Sequence, residues 1–307
     1  MITTHIGYKG KSKMKNKVTV LVQGGIGNQL FTYACAYCIA QKYDAGLWLD
    51  LLPYESGYFR SYQLDRLNIV GSKVRHWLPK GIIYKVREKF ISHVYDYVKE
   101  IAPYKFQMIS NIERVQTVSR VKFPRCKLYL EGYWQSEKYF KEMRQELLKV
   151  FSLTVEDDKK IVETFFDRFV KDNVVAVHVR RGDFVSGGAS IASNYYRKAF
   201  EEIKNRISNP EFLFFSDDIE YVKKEFKNDN IKMKFFTDLF ELQDDLLTLF
   251  CMSKCPHLII ANSSFSWWAA WLNCNDDKVV IAPSPDYLKS TDYYPADWII
   301  LDSKCGI

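Results

Sequence analysis

Between residues 174 and 282 the sequence alternates short apolar runs with segments of helical periodicity, and this alternation constrains the fold most strongly. The runs are 174–179, 212–215, 233–236, 257–261 and 279–282. The first, Val-Val-Ala-Val-His-Val, is almost continuously apolar, which is typical of a strand buried on both faces of a parallel sheet. Strands that alternate with helices in this way predict a doubly wound α/β sheet for the second half of the chain.

The first half opens with a related pattern. Residues 18–22 are predicted to form a strand, which is followed by a glycine-rich turn at 23–29 and an apolar helix at about 30–42. Glycines let the backbone approach a ligand closely, and the start of a helix attracts anions. The spacing is not G-x-G-x-x-G, so the turn is not a dinucleotide fingerprint. Asn28 can hold a sugar hydroxyl or a phosphate oxygen there, or it can cap the helix.

Polar residues follow three of the strands predicted in the second half. These clusters occupy 178–183, 216–218 and 262–266. The carboxyl ends of parallel strands lie on one edge of a sheet, where ligands bind. The neighbours Arg180 and Arg181 should point to opposite faces, so at most one is expected to contact a ligand. An arginine for phosphates, an aspartate for guanine and hydroxyls at a helix start together predict a nucleoside diphosphate site.

Length and composition limit the class of protein. A chain of 307 residues is long enough for two domains, and its net charge of +7 favours anionic substrates. Seven scattered cysteines indicate free thiols in a reducing compartment. The sequence has no long apolar span and no signal-peptide pattern, so we expect a soluble cytoplasmic protein. The lysine-rich residues 1–17 are expected to be a flexible tail that allows weak contact with the membrane surface.

Several of these segments resemble the α-1,2-fucosyltransferases of glycosyltransferase family 11. The matching segments are GGIGNQLF at 24–31, GYWQSEKYF at 132–140, HVRRGDF at 178–184, FSDD at 215–218 and NSSFSWWAAWL at 262–272. The resemblance implies a GT-B-like fold, in which two Rossmann-type domains face a cleft. It also implies transfer of L-fucose from GDP-β-L-fucose to O2 of a terminal galactoside with inversion, without a cofactor or a metal ion. The acceptor would be a galactose-terminated oligosaccharide or a lipid-linked glycan.

The resemblance also assigns roles to residues. Arg180 would stabilise the β-phosphate of the leaving GDP, Asp218 would read guanine, and Asn28 would act from across the cleft. The expected donor-binding residues are Gly25, Gly27, His178, Arg180, Ser216, Asp217, Asp218, Asn262, Ser263, Ser264, Phe265 and Ser266. The expected acceptor-side residues are Asp50, Tyr58, Glu131, Tyr133 and Trp134. The catalytic candidates are Arg180, Asp183 and Asn28.

The general base is open at this point. Some related fucosyltransferases carry a glutamate shortly after the arginine motif, whereas residues 185–190 contain no carboxylate. The candidates are Asp183, Glu131 and Asp50, or no base at all, because general base catalysis contributes only about 10²–10⁴-fold. Asp183 could instead be a structural partner of Arg181.

The predicted divisions follow from the resemblance and the composition. They are a basic tail at 1–17, an acceptor-side Rossmann-like domain at 18–170, a GDP-fucose-binding domain at 171–290 and a return segment at 291–307. One alternative is a GT-B enzyme that uses another nucleotide sugar, and another is a non-catalytic protein that binds nucleotides or nucleic acid. No nucleic-acid partner is expected, because the sequence lacks a basic stripe with interleaved aromatics. Neither the oligomeric state nor the role of residues 70–120 follows from the sequence.

Overall fold

The computed structural model describes residues 16–75, 96–99, 127–186, 190–285 and 292–303, with backbone alone at 96–99, 127, 183 and 186. The first of its two sheets has the strand order β3-β2-β1-β5-β4, and all neighbouring strands are parallel. Its strands are β1 (Lys17–Leu21), β2 (Gly46–Asp50), β3 (Ser72–Lys73), β4 (Asp96–Lys99) and β5 (Lys127–Glu131).

The second sheet is also parallel throughout and has the order β11-β10-β9-β6-β7-β8. Its strands are β6 (Val174–Val179), β7 (Glu211–Ser216), β8 (Lys232–Phe235), β9 (His257–Ile259), β10 (Val280–Pro283) and β11 (Ile299–Leu301). Every residue of β6 is buried, as its apolar sequence predicts. Two parallel α/β sheets confirm the predicted pair of Rossmann-type domains.

Helices connect and cover the strands. In the first half they are α1 (Ile26–Lys42), α2 (Leu52–Glu55), α3 (Arg144–Val150) and α4 (Glu156–Phe169). In the second half they are α5 (Gly182–Ser186), α6 (Ser193–Lys204), α7 (Ile219–Glu225), α8 (Phe236–Leu239), α9 (Asp245–Lys254) and α10 (Ser264–Leu272). Short 3-10 turns lie at Leu64–Arg66, Glu137–Tyr139 and Lys141–Met143.

One predicted helix start needs correction, and two connecting segments are built from short elements. Helix α1 begins at Ile26 rather than near residue 30, because the glycine-rich turn ends at Gly25, which caps the helix. The charged segment before Phe151 contains two 3-10 turns and only then α3. After β8, helix α8 has only four residues, and the longer α9 begins after Asp244, whose carboxylate accepts a hydrogen bond from the Leu247 N–H.

The two sheets share one hydrophobic core. Helix α10, with the sequence Ser-Phe-Ser-Trp-Trp-Ala-Ala-Trp-Leu, buries all of its side chains after Phe265. Phe31 of α1 lies 4.4 Å from Trp267 and 5.0 Å from Trp268 between ring centroids, and Phe140 stacks on Trp268 at 5.3 Å. Aromatic side chains bury large areas and prefer such tilted or offset contacts. The first helix of one sheet is therefore packed against the last helix of the other.

The predicted division at 170 and 290 stays a prediction. The first sheet ends at Glu131 and the second begins at Val174, and β11 belongs to the second sheet. The predicted tail lies mainly outside the described residues, as do 76–95 and 100–120 of the region without an assigned role.

Candidate functional site

A cleft of about 910 Å³ lies at the carboxyl ends of strands from both sheets. Its wall from the first sheet includes the turn after β1 and the segment after β5. Its opposite wall includes residues that end or follow β6, β7, β8, β9 and β10. Ligands of open α/β folds bind at this edge, so the cleft is the candidate active site.

The cleft brings together most of the residues that the sequence singled out. Those that line it are Gly25, Gly27, Asn28, Tyr58, Tyr133, His178, Arg180, Ser216, Asp217, Asn262, Ser263, Ser264 and Phe265. Five others do not line it, namely Asp50, Glu131, Trp134, Asp218 and Ser266. The side chain of Asp183 lies outside the described residues, although its backbone belongs to α5.

Arg180 and Arg181 diverge after the end of β6. Arg180 lines the cleft, and its Nη1 lies 2.7 Å from Oδ2 of Asp217. Arg181 does not line the cleft, and its guanidinium carbon lies 3.5 Å from the centroid of the Tyr221 ring. Its Nε lies 3.7 Å from Asp218, so the partner observed for Arg181 is Asp218. Arg180 is therefore the arginine available to a ligand, held by a carboxylate that fixes its position.

The geometry does not support the prediction that Asp218 reads guanine. Its Oδ1 accepts a hydrogen bond from the Tyr221 N–H at 3.1 Å, so Asp218 caps helix α7. Its neighbour Asp217 does line the cleft. The oxygens of Asp217 accept from Arg180 and, at 2.8 Å, from the backbone N–H of Arg181. Asp217 therefore orients the arginine loop, because both of its oxygens already have partners.

The serines at the start of α10 have different roles: some form structural hydrogen bonds and others line the cleft. Ser263 is the N-cap, and its Oγ accepts from the Phe265 N–H at 3.3 Å. Ser266 is fully buried and donates to the carbonyls of Ala261 and Ser263, so the geometry does not support a donor-binding role for Ser266. Ser264 lines the cleft. The part of this turn that lines the cleft is therefore 262–265.

The start of α1 lies directly against the start of α10. A Cβ atom on Gly27 would be 2.5 Å from the carbonyl carbon of Ser264 and 2.7 Å from the Phe265 nitrogen. Only glycine allows the two backbones to approach this closely. Gly24 has a φ of +85°, which also favours glycine. Because helix starts carry partial positive charge, their convergence makes this part of the cleft attractive to an anion.

Asn28 does not cap helix α1. The N-cap is Gly25, without a side-chain hydrogen bond, and Asn28 lines the cleft. Its Oδ1 accepts a hydrogen bond from Nε2 of Gln135 at 2.8 Å, which fixes the amide and leaves its NH2 group as a donor. Its neighbour Gln29 is buried and bonds to Gly24, Ser61 and Gln63, so Gln29 is structural.

His178 is a buried imidazole at the floor of the cleft. Burial and, secondarily, the charge of Arg180 lower its pKa to about 3. The ring is therefore neutral near pH 7. Its Nδ1 is buried and has no hydrogen-bond partner among the described residues. The ring centroid of Phe265 lies 5.3 Å away, so the imidazole also packs against the start of α10.

Of the residues predicted to contact the acceptor, some line the cleft and others do not. Tyr58 and Tyr133 line the cleft. Asp50 is buried, and its carboxylate accepts from the Leu52 N–H at 3.0 Å and from the Tyr129 hydroxyl at 2.6 Å. Trp134 is completely buried, and Glu131 is the last residue of β5. Asp50 and Trp134 are thus structural, and neither Asp50 nor Glu131 reaches the cleft as a base.

Other residues line the cleft without a role assigned to them from the sequence. Residues 236–248 contribute Phe236, Thr237, Leu242, Gln243, Asp244, Asp245 and Thr248, and further residues are Phe59, Arg60, Gln135, Phe184, Phe215, Ser284, Pro285, Tyr293 and Tyr294. The strand-end rule points to Thr237 and Ser284, which follow β8 and β10. No sequence pattern pointed to Tyr293 and Tyr294, because tertiary packing brings them to the cleft from a segment that follows no predicted strand.

Two further properties concern the described residues as a set. They contain no group of three or more His, Cys, Asp or Glu side chains that could hold a metal ion, and the absence of a metal requirement stays a prediction. None of the helices in the described ranges is both long and apolar enough to span a membrane.

Comparisons with known proteins agree with the sequence resemblance. The profile of "Glycosyl transferase family 11" matches residues 17–302. An Escherichia coli alpha-1,2-colitosyltransferase is 31% identical over 303 residues, covering 93% of this chain and 99% of that protein. The Escherichia coli O-antigen biosynthesis glycosyltransferase WbnK is 26% identical, covering 85% and 92%. Mouse galactoside 2-alpha-L-fucosyltransferase Sec1 is 28% identical, covering 57% and 52%.

Solved structures share the fold at low sequence identity. A mutant of Arabidopsis thaliana FUT1 in complex with GDP has a TM-score of 0.52 and 10% identity, covering 96% of this chain and 78% of that one. The Bradyrhizobium alpha-1,6-fucosyltransferase NodZ has a TM-score of 0.51 and 12% identity, covering 90% and 97%. These neighbours support the GT-B-like arrangement of two parallel-sheet domains.

Proposed function

Because this chain belongs to glycosyltransferase family 11, we propose that it transfers L-fucose from GDP-β-L-fucose to O2 of a terminal galactoside with inversion. The acceptor is a galactose-terminated oligosaccharide or a lipid-linked glycan. Relatives with the names colitosyltransferase and galactoside fucosyltransferase support a 6-deoxyhexose donor and a 1,2 linkage. Cytoplasmic location and contact with the membrane surface stay predictions from the sequence.

The position of Arg180 carries the proposal. Its guanidinium lines the cleft, is held at 2.7 Å by Asp217, and lies at the same sheet edge as the paired starts of α1 and α10. In the proposed reaction the galactoside O2 attacks C1 of fucose, and the bond between C1 and the phosphate oxygen breaks. The electron pair leaves with GDP. Arg180 and the helix starts stabilise the charge that develops on its β-phosphate.

These groups also support a reaction without a metal ion. A guanidinium and backbone N–H groups at helix starts can take the leaving-group charge that Mg²⁺ takes in other enzymes. Neutral His178 packs beneath them and adds no positive charge near pH 7. The proposed catalytic groups on this side are therefore Arg180 and the turn at 262–265, with Asn28 facing them from α1.

The proton of the attacking hydroxyl needs an acceptor. Of the carboxylates that the sequence suggested, Asp50 and Glu131 do not line the cleft. Asp183 is left, three residues after Arg180 and within α5, and we retain it as the proposed base. Among the described residues, the carboxylates that do line the cleft are Asp217, Asp244 and Asp245. The first two are engaged with Arg180 and Arg66.

A second donor is favoured by one specific observation. The 31% identical relative is a colitosyltransferase. Colitose is L-fucose without the 3-hydroxyl group, so the two GDP-sugars share the nucleotide, the 6-methyl group and the anomeric chemistry. The second candidate function is therefore colitosyl transfer from GDP-colitose to the same type of acceptor.

Replacement of Arg180 tests the proposal. The purified protein is assayed with a β-galactoside disaccharide and either GDP-fucose or GDP-colitose, and both released GDP and the fucosylated product are measured. We expect transfer from GDP-fucose. We expect Arg180→Ala to lower kcat by roughly 30- to 1000-fold, because loss of one oxyanion-type contact costs about 2–4 kcal/mol.

Arg206→Ala is the matched control. Arg206 forms an ion pair with Glu202 on α6, is not among the residues that line the cleft, and should leave kcat unchanged. Folding of each variant is checked by circular dichroism and thermal unfolding. If folded Arg180→Ala keeps more than a tenth of the wild-type kcat, the role of Arg180 is wrong. Transfer from GDP-colitose alone would establish the second candidate, and use of only UDP- or ADP-sugars would contradict both.

A further inference from the structure

An exposed aromatic residue stands at the entrance of the cleft. Phe59 has 77% of its surface exposed, the highest value among the large hydrophobic residues that the structure describes as exposed. It nevertheless lines the main cleft and a side pocket of about 180 Å³. Exposure of a phenyl ring costs free energy, since apolar surface is stabilised by removal from water. An aromatic ring exposed at the entrance of a binding cleft is therefore a candidate ligand contact.

The loop that carries Phe59 is anchored at both ends. The Tyr54 hydroxyl donates to the Gly24 carbonyl at 2.7 Å. Beyond Phe59, the buried amide of Gln29 donates to Ser61 at 2.8 Å and accepts from the Gln63 N–H at 3.0 Å. The loop is thus attached to the glycine-rich turn of the active site. Its exposed ring is presented in a defined position, which lowers the entropy that a ligand must overcome.

Polar groups complete the side pocket. Arg60 Nη1 lies 4.0 Å from Asp245 Oδ2, and the Arg60 guanidinium carbon is 5.2 Å from the centroid of the Phe59 ring. Phe59, Arg60 and Asp245 all line both the side pocket and the main cleft. A ring, a hydrogen-bond donor and a hydrogen-bond acceptor match a pyranose, which has one face of C–H groups and a rim of hydroxyls. The volume suffices for several water molecules at about 30 Å³ each, or for part of a sugar ring.

We propose that Phe59, Arg60 and Asp245 form an acceptor subsite for the sugar that carries the reacting galactose. The assignment rests on the proposed function. The reacting galactose must reach the donor beside Arg180, whereas Phe59 is mostly exposed at the entrance. The ligand group that covers Phe59 is therefore the next sugar of the acceptor, which extends toward solvent. The enzyme then selects oligosaccharides over single galactosides through this contact.

Acceptor kinetics test the assignment. KM and kcat are measured for methyl β-galactoside and for lactose, with GDP-fucose saturating, and the KM for GDP-fucose is measured separately. We expect Phe59→Ala to raise the KM for lactose by roughly tenfold. The KM for methyl β-galactoside and that for GDP-fucose should not change. Phe59→Trp, which keeps an aromatic face, should restore the KM for lactose, and Asp245→Asn should raise it.

Phe166→Ala is the matched control, because Phe166 is 47% exposed on α4 and is not among the residues that line the cleft. It should change none of these constants. The assignment is overturned if Phe59→Ala leaves the lactose KM at the wild-type value, or raises the KM for both acceptors equally. A wild-type protein that transfers to no galactoside would instead overturn the proposed function, and the assignment with it.

Discussion

At the scale of single residues, the chemistry of the cleft depends on which member of each pair of adjacent residues lines it. Arg180 faces the cleft and Arg181 packs on Tyr221. Asp217 lines the cleft, whereas Asp218 caps a helix. In each pair the second residue satisfies a structural demand, a cation–π contact or a helix cap. Arg180 is thereby left to the ligand, and Asp217 holds it in position.

His178 gives a prediction about pH at this scale. Its pKa in the folded protein is about 3, against an ordinary value of 6.5. Between these values the unfolded chain binds a proton at this site and the folded chain does not. The free energy of unfolding therefore falls as the pH decreases from about 6.5 toward 3, by at most about 1.4 kcal/mol per pH unit. Above about pH 6.5 this contribution is constant.

The measurement compares wild type with His178→Gln by urea denaturation at several pH values. Between about pH 6.5 and 4.5, wild type should lose about 2 kcal/mol more stability than the variant. Titration of the carboxylates is common to both proteins and cancels in the difference. Parallel stability curves would contradict the prediction, since they would mean that the folded protein admits a charged imidazole.

At the scale of elements, the crossing of α1 and α10 is the feature that organises the site. Each helix begins at the carboxyl end of a strand in its own sheet, and the two starts touch at Gly27 and Ser264. Aromatic packing behind them, between Phe31 and Trp267, holds the helices together. The anion-attracting ends of two helices are thus fixed at one place by a hydrophobic contact several residues away.

Gly27→Ala tests this crossing. The new Cβ would overlap the backbone of Ser264, which cannot rotate away as a side chain could. We expect a loss of about 1–3 kcal/mol in the free energy of unfolding, as for other overpacked sites. The start of α10 should also shift, so that the KM for GDP-fucose rises.

Gly25→Ala serves as the control for stability. A Cβ at Gly25 meets no atom within 4 Å, and its backbone is extended, with a φ of −76°. The free energy of unfolding should stay within about 1 kcal/mol of wild type. If Gly27→Ala were as stable and as active as wild type, close contact between the two helix starts would not be needed.

At the scale of the whole molecule, the two sheets are joined by more than a linker. The shared aromatic core connects them, and Arg66 adds a polar connection. From its 3-10 turn, Arg66 donates to Asp158 of α4 at 2.8 Å and to Asp244, the cap of α9, at 2.5 Å. Both carboxylates raise the pKa of Arg66. Because the shared aromatic core is a large apolar contact, it opposes independent motion of the two domains.

Arg66→Ala tests the polar connection. The change leaves the mostly buried carboxylate of Asp158 without the partner seen here. We expect the free energy of unfolding to fall by about 2 kcal/mol, because hydrogen bonds to charged groups contribute about 1.5–3 kcal/mol. Lys73→Ala is the control, since its ion pair with Asp65 is half exposed and should contribute less than about 1 kcal/mol. Equal losses from both changes in urea denaturation would contradict a special role for Arg66.

The amino-acid sequence by itself determined the two parallel sheets, the position of the polar clusters and the family. Val174–Val179 is apolar throughout because the strand is buried on both faces, and such local patterns can be read without a structure. Only the tertiary structure decided which members of each cluster face the cleft. Asp50, Asp218 and Ser266 have side chains suited to a ligand. In the folded protein these side chains instead form hydrogen bonds with nearby backbone groups. Tyr293 and Tyr294 reach the site from a distant part of the chain, and long-range packing leaves no local pattern from which to infer it.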